Sequence, residues 1–289
     1  MRQPFRERLQ SEEILVLDGA TGTELERRGF QLNAPGWSAS AIREAPELLL
    51  EIHRDYIAAG AEILTTNTFR THNRNLGDTK WAGESRVLTI EAVKIARQAA
   101  GEAYVAGSIA PLEDCYSPQL TPPQADLEKE HQQMVENLIA AGVDLIIAET
   151  QLTIRESETI ARICSTYPLP FILSFTCGRD GKLLSGESLA AAAEAVLLYS
   201  PAALLVNCLP VEEVLDRMIE MRSVDSRIPL GAYANSGRLR SDGTWESTLG
   251  INPAVYAEFA QTWKEFGIRI VGGCCGTTPR HVSCLIKMV

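Results

Sequence analysis

Eight short apolar runs, separated by helical patterns, constrain this 289-residue chain more than any other feature. The runs are Ile14–Asp18, Glu62–Thr66, Tyr104–Ser108, Asp144–Glu149, Phe171–Thr176, Leu204–Cys208, Leu230–Asn235 and Ile268–Gly272. Most are apolar through their length rather than alternating, the pattern of strands buried on both faces. Between them lie segments with apolar residues at helical spacing. Pro46–Ala59 places Leu49, Ile52, Tyr56 and Ile57 on one face, and Glu84–Ala99 does so with Leu88, Ala92, Ile95 and Ala99. Asp126–Ala141, Ile154–Ser165, Leu189–Leu198, Val211–Met221 and Pro253–Phe266 continue the alternation, and Pro279 opens a last helix where a missing N–H costs nothing. Eight such pairs in under 300 residues predict an α/β fold, a (β/α)8 TIM barrel, with a doubly wound open sheet as the alternative. No linker, charge block or low-complexity tract interrupts residues 1–289, so a single barrel domain is expected.

Charge narrows the function classes. There are 27 basic and 37 acidic residues, a net charge of −10, and no dense Lys/Arg run. A protein that grips phosphates needs a basic face, so nucleic acid is not an expected partner. The N-terminal MRQPFRERLQSEE has no apolar stretch behind its charge, and no run approaches the length of a membrane span. A soluble cytoplasmic protein without a membrane partner is expected; the sequence does not fix an oligomeric state. Seven cysteines, an odd number, argue against a disulfide framework and direct attention to any clustered pair.

On a barrel of this kind the active site sits at the C-terminal ends of the strands. The predicted strand ends carry Asp18, Thr65-Thr66-Asn67-Thr68-Phe69, Ser108, Glu149, Cys177, Asn207-Cys208, Asn235-Ser236-Gly237 and Gly272-Gly273-Cys274-Cys275-Gly276. Adjacent cysteines flanked by glycines are poor core packing but can aim two thiolates at one point. Cys208 joins them from two strands away on the same rim. Three thiolates suit zinc, and three protein ligands leave a fourth position open, as in catalytic sites. Such a site suits a thiol substrate, because coordination delivers a thiolate at neutral pH. Cys115, Cys164, Cys177 and Cys284 are expected to be ordinary buried cysteines. His53, His72, His131 and His281 lie on predicted helices or loops and are expected to be either satisfied or solvent-exposed. Asp18 and Glu149 are candidate partners for a substrate ammonium, the alternative for each being a helix cap or a solvated loop acid. Asn207 and Asn235 suit a substrate carboxylate, the metal surroundings or simple turn chemistry alike.

These residues resemble the homocysteine S-methyltransferase family over nearly the whole chain. The likeness is carried by Asp18-Gly-Ala-Thr-Gly-Thr-Glu24, Thr65-Thr-Asn-Thr-Phe69, Asn207-Cys208 and Gly272-Gly-Cys-Cys-Gly-Thr-Thr-Pro279. The resemblance implies a (β/α)8 barrel, a zinc ion on Cys208, Cys274 and Cys275, homocysteine as the acceptor, and Asp18 and Glu149 around its amino group. Leu32-Asn33-Ala-Pro-Gly-Trp37-Ser38-Ala39 and Tyr233-Ala-Asn235-Ser236-Gly237, followed by Trp245, are similar to the branch that takes methyl groups from S-methylmethionine or S-adenosylmethionine. Thr65-Thr-Asn-Thr-Phe69 is similar to the homocysteine module of cobalamin-dependent methionine synthase, and the betaine-using branch is similar too. The readings that stay open are therefore a sulfonium-dependent methyltransferase, a module working with a corrinoid, folate or betaine-type donor, and a barrel whose three-cysteine zinc site is purely structural.

Overall fold

A computed structural model describes residues 2–32, 36–240 and 244–289. Asn33, Ala34 and Pro35 of the motif quoted above thus lie outside the described residues. Eight parallel strands form the barrel: β1 (Leu15–Val16), β2 (Ile63–Thr65), β3 (Tyr104–Ile109), β4 (Leu145–Gln151), β5 (Phe171–Phe175), β6 (Ala203–Pro210), β7 (Leu230–Asn235) and, last in the chain, β10 (Ile270–Gly273). Their order is β1-β10-β7-β6-β5-β4-β3-β2, and a parallel bridge between Leu17 and Ile63 joins the two ends of the series. The expected (β/α)8 barrel is therefore the observed fold. A two-stranded antiparallel hairpin, β8 (Gly237–Leu239) with β9 (Trp245–Ser247), rises from the rim after β7.

Strand side chains alternate between two apolar environments, which is why the sequence runs are apolar throughout. Leu15, Leu17, Ile63, Leu145, Ile147, Ile172, Leu205 and Ile270 fill the barrel interior. Their neighbours Val16, Leu64, Ile146, Leu173, Leu204, Val206 and Val271 face outward to the helices. The N-terminal helix Phe5–Arg8 closes the bottom of the barrel, placing Phe5 and Leu9 in the interior cluster.

The helices match their predicted segments to within a residue or two, and Ile154–Ser165 and Pro253–Phe266 coincide with them. Val211–Met221 splits into a 3-10 turn, Val211–Glu213, and a helix, Val214–Val224. β4 and β6 run past their expected ends, to Gln151 and Pro210, because each carries an irregularity: register shifts fall between Ala148 and Gln151 and between Asn207 and Pro210. Among the described residues no helix is long and apolar enough to cross a membrane.

Candidate active site at the C-terminal rim

The two strand irregularities are where the rim acquires its chemistry. Thr150 on β4 and Cys208 on β6 both sit at positive φ, +58° and +57°, conformations that non-glycine residues adopt at a cost. Asn207 holds this strained pair. Its Oδ1 accepts from the Thr150 N–H at 3.0 Å and from Ser174 Oγ at 2.7 Å, and its Nδ2 donates to Thr150 Oγ1 at 2.8 Å. Bulges re-aim side chains beside active sites. Here they bring the Cys208 thiol off β6 toward β10.

The opposing loop is fixed by close approach. A side chain at Gly272 would strike Leu17 and the Asp18 carbonyl, so only glycine lets the last strand pass this close to the first. Gly276 has φ +78° and lets the chain turn back after the cysteine pair. Tyr256 clamps the neighbouring strands, accepting from the Ala234 N–H at 2.8 Å and donating to the Gly272 carbonyl at 2.7 Å. The Cys274 N–H donates to the Ala234 carbonyl, and the Ser236 N–H to the Cys275 carbonyl. The pair of cysteines is thereby tied to β7 on both residues.

The result is a compact thiol cluster. The sulfurs of Cys208, Cys274 and Cys275 all lie within 4.8 Å of one another, with Cys208 and Cys274 at 2.9 Å. Sulfurs around a tetrahedral zinc, with Zn–S of about 2.3 Å, are about 3.8 Å apart, a spacing within the limit that this cluster keeps. Three soft donors with a gap on one side thus fit a thiophilic metal ion. Hydrogen bonds to Cys274 and Cys275, with burial, push the Cys208 thiol up. Those received from Cys208 and Cys274 pull Cys275 down.

The cluster forms one wall of a cavity of about 560 Å³ that Asp18 and Glu149 also line. That volume is in the usual range for small-molecule sites, about 300–1,000 Å³. Burial raises the Glu149 carboxyl to about 7, assisted by the nearby Cys274 sulfur and opposed by hydrogen bonds from Ser108 and Tyr233. Ser108 Oγ donates to its Oε1, and Tyr233 OH lies 3.3 Å from its Oε2. Asp18 is also pushed well up, by burial. Both its oxygens accept from Thr65, from the N–H at 2.8 Å and the hydroxyl at 2.9 Å. The helix-cap alternative for Asp18 fails, because the next helix is Gly22–Arg27 and Thr21 occupies its N-cap position.

Other expected residues are distributed differently. Asn235 is buried at the end of β7 and is not among the cavity-lining residues; its Oδ1 has no partner among the described residues. All four histidines are buried. His131 pairs with Glu156 at 2.9 Å and His281 caps the last helix, but both ring nitrogens of His53 lack partners, so burial and not solvent decides their state. Burial lowers His53 to about 4. Cys164 and Cys177 are buried and Cys284 is half-buried, but Cys115, also buried, lines the cavity. Sequence reasoning missed Tyr116 and Arg70 on the cavity wall, and named Tyr233 only within the donor-branch motif, without a role. Tyr233 was legible as an inward polar residue one turn of the pleat before Asn235. Tyr116 and Arg70 sit on loops, where no periodicity marks which side chains turn inward.

Fold and site define a class: a (β/α)8-barrel enzyme with a three-cysteine arrangement able to hold a metal at its strand ends. A family model described as homocysteine S-methyltransferase matches residues 15–289, and the chain belongs to that family. It is 32% identical to the homocysteine S-methyltransferase of Escherichia coli, over 98% of this chain and 97% of that protein. It is 30% identical to the homocysteine S-methyltransferase YbgG of Bacillus subtilis, over 97% and 96% of the two chains. The crystal structure of the metallated form of the homocysteine methyltransferase MmuM from Escherichia coli superimposes with a TM-score of 0.84 at 30% identity, covering 99% of this chain and all of that one.

Proposed function

We propose that this chain transfers a methyl group from a sulfonium donor, S-methylmethionine or S-adenosylmethionine, to the thiol of homocysteine, giving methionine. The observation that carries the reading is the convergence of Cys208, Cys274 and Cys275 within 4.8 Å at one wall of a cavity that also holds a desolvated carboxylate, Glu149. Cys208, Cys274 and Cys275 would hold a zinc ion, which supplies Lewis acidity that turns a substrate thiol into a thiolate at neutral pH. The rest is the work of the chain. Glu149 receives the acceptor's ammonium. Its raised pKa in the empty site means that ammonium binding favours the ionised carboxylate. Ser108 and Tyr233 keep its two oxygens aimed into the cavity. Asp18 lines the same cavity and would share the ammonium with Glu149, and its hydrogen bonds from Thr65 fix β2 against β1. Asn235, which the sequence placed at the substrate, is not among the cavity-lining residues and is given no substrate contact in this reading. In this reading residues 1–289 act as one barrel domain in a reducing, cytoplasmic setting that keeps the three thiols free.

The test is a donor panel with zinc-loaded enzyme and homocysteine, reading methionine. A sulfonium donor should support turnover, and Cys208→Ala should abolish both bound zinc and product. Methionine formed only from betaine or methylcobalamin would overturn the donor assignment. Wild-type zinc content in Cys208→Ala would remove that residue from the metal site.

A further inference from the structure

We infer that Arg70 receives the carboxylate of the methyl donor, so that the donor this cavity selects is an α-amino-acid sulfonium. The inference rests on the methyl-transfer reading above. It begins from the charges on the cavity wall. Five carboxylates line it, Asp18, Asp78, Glu113, Asp114 and Glu149, against two cations, Arg70 and Arg74. Arg74 is committed: Glu113 lies at 2.9 Å, Asp126 at 3.4 Å and Glu130 at 2.5 Å. Arg70 has no carboxylate at ion-pair distance among the described residues. It donates to the Glu113 carbonyl at 3.0 Å and approaches Cys115 Sγ at 3.9 Å. A guanidinium has five N–H donors, so these contacts orient the group and leave donors free. Among the described residues lining the cavity it is the one cation without a carboxylate partner.

The strand order says which substrate that anion belongs to. Cys208 lies near the C-terminal end of β6 and Cys274 follows β10, the two strands that flank β7. In a ring of eight, β3 lies opposite β7, with β2 beside it. Arg70 follows β2, and its partners Glu113 and Cys115 follow β3. The strand order therefore puts Arg70 on the β2–β3 side of the mouth and the cysteines on the β6–β10 side. Methyl transfer between sulfurs proceeds by displacement from the back. The donor's sulfur–methyl bond breaks, its electron pair passes to the donor sulfur, and a lone pair of the acceptor thiolate forms the new bond. The sulfonium becomes a neutral thioether and no other reactant is consumed. The leaving sulfur must lie beyond the methyl group, away from the attacking sulfur. With the acceptor sulfur at the β6–β10 wall, the donor's body falls on the β2–β3 side, where Arg70 can take a carboxylate in bidentate fashion.

The experiment compares wild type, Arg70→Met and Arg70→Lys, all zinc-loaded. Donor and homocysteine KM are measured with S-methylmethionine and with its carboxamide, and binding of both donors is measured directly by calorimetry. Arg70→Met should raise the KM and Kd for S-methylmethionine roughly 10–100-fold. The variant should leave homocysteine KM within about twofold and erase the preference for the acid over the amide. Arg70→Lys, which restores the charge without the fork, should recover part of the affinity. A rise in homocysteine KM with the donor's unchanged would hand Arg70 to the acceptor. Equal losses for acid and amide, or no loss, would overturn the assignment as well. A wild-type enzyme that takes no methyl group from either S-methylmethionine or S-adenosylmethionine sinks the donor reading itself, a different failure from any of these.

Discussion

Asp144, just before β4, and Glu149, five residues on and near its C-terminal end, are carboxylates that the protein treats in opposite ways. Asp144, at the bottom, meets Arg2 at 2.7 Å, Arg97 at 2.8 Å and the Val105 N–H at 2.7 Å. Against the effect of burial, hydrogen bonds from Arg97, Val105 and Arg2 hold it below the usual carboxylate range. Glu149, at the top, has only neutral donors, Ser108 and Tyr233, and burial raises it to about 7. The bottom is a closed structural end. There the Phe5 ring packs edge-on against Tyr104 at 5.2 Å, and the Tyr104 hydroxyl donates to the Gln3 carbonyl. At the top, strained backbone at Thr150 and Cys208, crowded thiols and two desolvated acids are tolerated together. Such an arrangement stabilises a ligand more than the empty protein. One strand thus links a compensated charge with an uncompensated one, and the uncompensated one marks the site.

The division can be broken most forcefully from below. Phe5 is 3% exposed and seals the barrel interior. Phe5→Ala should destabilise the fold by about 3 kcal/mol, the low end for a buried Phe because a terminal helix can partly collapse into the space. Denaturant unfolding measures the loss. The folded fraction should keep wild-type kcat/KM. A fall in kcat/KM matching the loss of stability would show that the bottom plug shapes the rim, and the two ends would not be separable.

Glu149→Gln probes the top. The change keeps size and one acceptor while removing charge. Homocysteine affinity should fall by about 2–4 kcal/mol, as when one partner of a desolvated charge pair is lost. Bound zinc should be unchanged, as should affinity for a thiol of similar size without an amino group. Equal losses for both thiols, or loss of zinc, would make Glu149 a support for the cysteine cluster and not a receptor for the ammonium.

How much of this was legible in the sequence depends on which interactions define each element. The eight strands and their helices were readable because burial on both faces writes itself as continuous apolar runs, and Gly272-Gly-Cys-Cys-Gly276 is a local signal. The irregularities in β4 and β6 were not readable. Thr150 and Cys208 take positive φ without being glycine, and what holds them there is Asn207, whose hydrogen bonds cross from β6 to β4 and β5. The role of Asn207 as a brace is a tertiary fact that its neighbours in sequence do not announce. Asn235 has the same residue type at the same kind of strand end and, like Asn207, does not line the cavity, but its Oδ1 has no partner among the described residues. Strand-end position predicts proximity to a site, but the local twist decides which side of the wall a side chain occupies. The short N-terminal plug was also missed, since four residues of helix carry too little periodicity to be seen.

The test that bears most directly on the comparison is the pH dependence of the two carboxylates, Asp144 and Glu149, in metal-free, substrate-free, reduced protein. Glu149 has a folded pKa raised from 4.5 to about 7. Its contribution to stability is therefore fully present below about pH 4.5 and is lost as pH rises through 7, because the folded protein opposes the charged form that the unfolded chain accepts. A shift of this size corresponds to up to about 3 kcal/mol. Glutamine never ionises. Stability of Glu149→Gln relative to wild type should then be higher at pH 8 than at pH 4 by up to that amount, and any packing or hydrogen-bond loss cancels between the two pH values. Asp144 is depressed, so its sign is reversed: its stabilisation is present above the unfolded pKa and disappears as pH falls through the folded one. Asp144→Asn should be most costly at neutral pH and least costly in acid. Unfolding curves of the two variants and wild type across pH 3–8 read both slopes at once. Slopes of the same sign would mean that the ends of β4 are not electrostatically distinct, and a flat profile for Glu149→Gln would mean that the rim carboxylate is ionised at little cost before any ammonium arrives.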